Sequence, residues 1–69
     1  MFDEFAFRDF LRRKNVKITK IAEILNISTP TLYRKMTGTS DFYRSEIQKI
    51  CDYFNEEDLN YIFFAKQVS

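Results

Sequence analysis

Between Thr29 and Thr37 the chain reads T-P-T-L-Y-R-K-M-T, a run of hydroxyls with one tyrosine and one arginine. This set is equipped to recognise rather than to react. The Arg34 guanidinium has the forked donors that hold guanine through O6 and N7, and the Pro30 ring and Thr29 methyl suit thymine methyl groups. Bond-breaking chemistry has little to work with. The 69 residues include no His, one Cys and one Gly, so the usual nucleophile, base and glycine-rich phosphate cradle are missing. Glu56, Glu57 and Asp58 are adjacent; they point in different directions and serve a helix start better than acid–base work. An enzyme is not expected.

What must position these side chains is legible just upstream, where I-A-E-I-L-N-I-S-T-P-T-L runs from Ile21 to Leu32. Two short helical patterns meet there across a turn tight enough to predict a helix-turn-helix, a motif that points to DNA. Ile21, Leu25, Ile27 and Leu32 have the spacing of an inner face shared by two crossing helices. Ala22 falls where the second helix passes closest, so a methyl group is the size that fits. Asn26 occupies the turn, and Asn tolerates a left-handed backbone better than most residues other than Gly. Ser28 is the expected cap of the second helix, accepting from the Thr31 amide, with Pro30 in the first turn where a missing N–H is harmless. That helix is predicted over about 29–37 and stops at Gly38.

On its outward face lie Thr29, Pro30, Thr31, Tyr33 and Arg34, the candidate base readers, with Thr37 beyond them. The N-terminal turn of such a helix enters the major groove, and the apolar Pro30 ring and Thr29 methyl suggest tolerance for A·T-rich sites. Arg34 reads a guanine or contacts a phosphate. Tyr33 enters the groove or covers the helix pair. Phosphate contacts are expected from Lys17, Thr19 and Lys20 at the start of the first motif helix, the Ser28 amide, Lys35, Thr37, and Thr39, Ser40 and Arg44 in the following loop. For Lys17, Lys20 and Arg44 the alternative is a solvated charge, and Lys35 is read as a phosphate or solvent residue.

Ala22, Leu25-Asn26-Ile27-Ser28 and Thr31-Leu32, followed by K-M-T-G, S-D-F and E-I-Q-K-I-C, resemble the small Cro-like and repressor-like helix-turn-helix proteins of phages and prophages. The resemblance runs from about Val16 to Phe64. It implies a lambda-repressor-like all-α fold, double-stranded DNA as partner, a homodimer at least on DNA, and a bacterial cytoplasm or nucleoid. One departure stands at the start of the first motif helix, where the family usually carries Thr or Ser and then Gln. This chain has Lys17 and Ile18.

The whole chain reads as one domain, a compact bundle of about five helices without strands. The first is predicted over about 3–14, where Phe2, Phe5, Ala6, Phe7, Phe10 and Leu11 wrap around more of the helix than one packing stripe needs. Some of these rings cover the motif pair, and a surplus one stays exposed or meets a second copy. The second helix spans about 17–25. Thr39, Ser40 and Asp41 are expected to cap a fourth helix reaching Phe54, with Ile47, Ile50, Cys51 and Phe54 as its core stripe. Asn55 is read as the cap of a last short helix carrying Leu59, Ile62 and Phe63. Cys51 reads as a small apolar residue rather than a redox switch.

Composition sets further bounds. A 45% hydrophobic and 17% aromatic content supplies more core than most chains of this length. A lone Cys excludes an intramolecular disulfide, and without His no zinc cluster is expected. No apolar run approaches the roughly 20 residues of a membrane span, and M-F-D-E lacks the basic start of a signal peptide, so a cytosolic chain without cofactor, metal or small-molecule substrate is expected. The net charge of +1 is unevenly spread: residues 1–15 carry +1, residues 16–45 carry +3 and residues 46–69 carry −3. Duplex affinity is mainly phosphate neutralisation, so the basic motif is expected to face DNA and the acidic third to face away.

Two readings of different class follow. One is a sequence-specific transcriptional regulator; the other is an antirepressor-like helical module that keeps the fold but uses its aromatic surface on another protein. For a self-association surface the aromatic candidates are Phe2, Phe5 and Phe7 at one end and Tyr61, Phe63 and Phe64 at the other, with the C-terminal end favoured.

Overall fold

Three asparagines decide where helices stop. Asn15, Asn26 and Asn55 take positive φ values of 59°, 58° and 55° in the computed structural model, which describes residues 2–55 and 58–64. Asn15 ends α1 (Glu4–Lys14), Asn26 ends α2 (Ile18–Leu25) and Asn55 ends α4 (Arg44–Phe54). Behind the first two the chain folds back in a pair of reverse bonds. Asn15 N–H donates to Arg12 O and Val16 N–H to Leu11 O, just as Asn26 N–H donates to Glu23 O and Ile27 N–H to Ala22 O. Those bonds satisfy carbonyls that a helix end otherwise leaves open. Between them α3 (Thr29–Met36) ends at Thr37, and Gly38 follows at φ +92°. A Cβ there meets nothing within 4 Å, so the position requires glycine for its backbone angle and not for space. The last helix, α5, is a single turn at Asn60–Phe63.

The fold is all-helical among the described residues, as the hydrophobic patterning predicts. Two boundaries differ from expectation. The fourth helix begins at Arg44 and not at the Thr39-Ser40-Asp41 link; Glu46 reaches back to accept the Tyr43 N–H at 2.8 Å, which fixes the start later. Asn55 does not open the last helix but closes α4, because the same side chain that caps a helix start also tolerates the left-handed stop. Asp58 instead accepts the Asn60 N–H at 3.2 Å. Glu56 and Glu57, expected in that first turn, lie outside the described residues.

α1 packs against α5, and α2 against both α3 and α4. Phe7, Ile21, Leu32, Ile50 and Ile62 are fully buried at the centre, joined by Phe10, Leu11, Ala22, Leu25, Met36, Leu59 and Phe63. The inner face predicted for the motif is thus the core, with Ile27 half-buried at its edge. Phe2 turns inward onto Phe42 (ring centroids 4.7 Å), Phe7 (5.3 Å) and Phe63 (5.4 Å), and Asp3 N–H donates to Ile62 O at 2.7 Å. The surplus rings therefore close a mini-core between the ends of the chain. Phe7 and Phe63 are buried and unavailable as association surface, which corrects that part of the expectation; Phe5 remains 88% exposed. Cys51 packs half-buried on the core. Desolvation, helped by neighbouring Asp52, pushes its thiol pKa up, consistent with a packing role.

Candidate nucleic-acid interface

α3 is oriented by what precedes it. The left-handed Asn26 reverses the chain, Ile27 anchors the turn through its bond to Ala22, and Ser28 starts the new helix by accepting the Thr31 N–H at 3.2 Å. Pro30 sits in the first turn. The Ser28 and Thr31 hydroxyls also bond each other at 2.8 Å, so this cap is a closed local unit. Ser28→Ala removes the acceptor and is expected to cost about 1 kcal/mol. For a domain of this size that lowers Tm by roughly 4–8 °C, readable by circular dichroism on heating.

With α3 seated on Leu32 and Met36, its opposite side is set by geometry. Pro30, Tyr33, Arg34 and Thr37 are exposed, and their spacing of three, one and three residues makes a continuous stripe along a helix. Thr29 and Thr31 are half-buried beside it. Thr31 is the least free of the expected readers, since its hydroxyl already bonds Ser28. Arg34 carries the end of the helix through its carbonyl, which accepts from Ser40 N–H at 3.1 Å and Thr37 Oγ1 at 3.3 Å; its guanidinium stays at the surface.

Around the stripe stand the other expected contacts. Lys17, Thr19 and Lys20 are exposed at the start of α2, whose first turn has no side-chain cap, so its leading amides are open to an anion. Lys20 approaches Glu23 at 3.7 Å, a surface pair of small energetic weight. Thr39 and Ser40 are exposed in the loop after α3, and Arg44 is exposed at the first position of α4.

Comparison with known proteins decides the family. A family model for the Cro/C1-type helix-turn-helix DNA-binding domain matches residues 7–59. The chain belongs to that family. No curated protein and no solved structure matches it. The match runs from Phe7 in α1 to Leu59 ahead of α5, so it takes in the whole helix-turn-helix and the α4 behind it.

Within this Cro/C1-type domain one expected contact is misplaced. Lys35, read as a phosphate or solvent residue, is 5% exposed. Its Nζ lies 3.0 Å from Glu46 Oε1, donates to Asp41 O at 3.0 Å and sits 4.2 Å from the centre of the Tyr43 ring. The physical reason is its place on α3 between Arg34 and Met36, on the side turned to α4. No phosphate reaches it without dismantling these bonds.

Two residues beside the candidate interface gave no such expectation from the sequence. Arg8 on α1 lays its guanidinium over the Tyr33 ring at 5.7 Å while its Nε bonds Glu4 at 2.9 Å. Tyr33 therefore does not hang free; its ring lies under the Arg8 guanidinium of α1 with 40% of its surface open. Tyr43, 66% exposed, stands immediately before Arg44. Its one sequence signal was an aromatic in a polar loop; Arg8 gave none, because its meeting with α3 is made by the fold.

Proposed function

We propose that this Cro/C1-type domain is a sequence-specific transcriptional regulator that binds operator DNA with α3 in the major groove. The observation that carries the reading is the exposed stripe Pro30–Tyr33–Arg34–Thr37, backed by the buried Leu32 and Met36 within a helix-turn-helix of this family. Thr29, Pro30, Thr31, Tyr33 and Arg34 meet base edges, with Arg34 the candidate for a two-pronged guanine contact. Lys17, Thr19, Lys20, Ser28, Thr37, Thr39, Ser40 and Arg44 meet the phosphates of the two flanking strands. The modest net charge makes non-specific binding weak, so useful affinity comes from pairing two copies on a two-fold site. Tyr61 and Phe64, 50% and 58% exposed, form the association surface at the C-terminal end. The site of action is the cytoplasm or nucleoid of a bacterium.

Selection from random duplexes, followed by affinity against salt, tests this. The expected result is a two-fold-related consensus whose binding weakens with salt because neutralising several phosphates releases their counterions. Equally weak binding to the selected and a scrambled duplex would instead favour the antirepressor-like module, whose contacts would fall on exposed aromatics such as Phe5. Equilibrium sedimentation with and without the selected duplex reads the dimer. A chain that stays monomeric on a two-fold site sinks that part of the proposal.

A further inference from the structure

Burying an ammonium and a carboxylate is costly, and an apolar pair of similar volume often serves stability as well or better. Lys35 and Glu46 are nevertheless both buried, at 5% and 7% exposed. What they do that an apolar pair does not is visible in their other bonds. Lys35 Nζ reaches Glu46 on α4 at 3.0 Å and the Asp41 carbonyl, inside the α3–α4 loop, also at 3.0 Å. The same Glu46 oxygen accepts the Tyr43 N–H at 2.8 Å, and the Tyr43 ring covers the ammonium at 4.2 Å. The end of α3, the loop and the start of α4 are thus stitched at one point. Thr39, Ser40 and Arg44, exposed on this loop and just after it, are three of the residues assigned above to phosphates.

We infer that Lys35 is a positioning residue for DNA binding: its ammonium holds the 37–43 loop against α3, so that Thr39, Ser40 and Arg44 meet the backbone of the duplex whose groove α3 occupies. The inference rests on the DNA-binding reading and deepens it. A leucine at this position would pack α3 on α4 but would leave the Asp41 carbonyl unheld. The lysine acts through the loop and touches no phosphate.

The double variant K35M/E46Q isolates the tether. Met keeps the unbranched stem, and Gln still accepts the Tyr43 N–H, as either Glu or Gln does at this place in a helix start. Three readouts are compared with wild type: thermal unfolding, amide exchange at Ser40, and affinity for a short mixed-sequence duplex against salt. The expected outcome is a melting point close to wild type, Ser40 exchange faster by about tenfold or more as the loop opens more often, and a shallower salt dependence. Of Thr39, Ser40 and Arg44 only Arg44 neutralises a phosphate, so loss of its contact reduces the log–log slope by about one. A folded double variant with the wild-type slope and wild-type Ser40 exchange overturns the inference.

Should the double variant fail to fold, the wild-type chain titrated with the same duplex still decides. Amide shifts at Thr39, Ser40 and Arg44 together with α3 support the placement; shifts confined to α3 overturn it. A wild-type chain that binds no duplex sinks the functional reading and the phosphate half of the inference, and where the double variant folds its Ser40 exchange then judges the tether alone.

Discussion

Replacing Arg34 and Thr29 together by Ala is expected to lower affinity for the selected operator by about a hundredfold or more. Each base contact of this kind contributes about 1–3 kcal/mol of discrimination, and every 1.4 kcal/mol is tenfold in binding. Both changes lie at the α3 surface, one exposed and one half-buried, and Ala is a good helix former, so circular dichroism should show an unchanged fold. The pattern of loss also separates the two roles open to Arg34. If it holds a guanine, binding to a scrambled duplex barely changes while preference at one base pair collapses. If it holds a phosphate, both duplexes weaken alike and the salt slope falls by about one. Wild-type affinity in the folded double variant would remove α3 from the interface.

The largest expected loss of stability is at Phe7. Its ring is fully buried, edge-on to Phe2 at 5.3 Å and near Phe63 at 6.1 Å. Phe7→Ala deletes that contact surface and leaves a cavity, a change that typically costs about 3–5 kcal/mol. A chain of this length is stable by only roughly 3–10 kcal/mol, so the variant is expected to be partly or wholly unfolded at room temperature. Phe5→Ala, two residues away on the same helix and exposed, should stay within about 0.5 kcal/mol of wild type. Urea unfolding of the pair reads both; similar midpoints would contradict the packing of α1.

The helix-turn-helix was legible because its signals are local and chemically specific. Ser28 caps over three residues, Asn26 and Gly38 take backbone angles that other side chains resist, and Ile21, Ala22, Leu25 and Leu32 repeat at helical spacing. Signals with two meanings misled. Asn55 followed by acidic residues reads as a helix start, yet asparagine serves equally as a left-handed stop, and only its positive φ and its N–H bonds back to Asp52 O and Cys51 O decide between them. The start of α4 had a usable sign in Glu46, the partner half of a capping box, but Tyr43 is not a usual first half. Burial by tertiary contact was invisible. A lysine beside Arg34 looks solvated until Glu46, across a loop, is brought to 3.0 Å. In the same way nothing in α1 announces that Arg8 will meet Tyr33, so the candidate site was read without α1.

The asparagine stops also bear on how quickly this chain finds its fold. Each is closed by bonds that span at most five residues, from Asn15 to Arg12 and Val16 to Leu11, and from Asn26 to Glu23 and Ile27 to Ala22. Helix ends are therefore set while the rest of the chain is still open, and what remains to be searched is the docking of a few short rods. Chains dominated by such local contacts fold in microseconds to milliseconds. Among the described residues the bond from Asp3 N–H to Ile62 O joins the most distant stretches of chain and carries the greatest loop-closure entropy. The seam between α1 and α5 is accordingly expected to zip last.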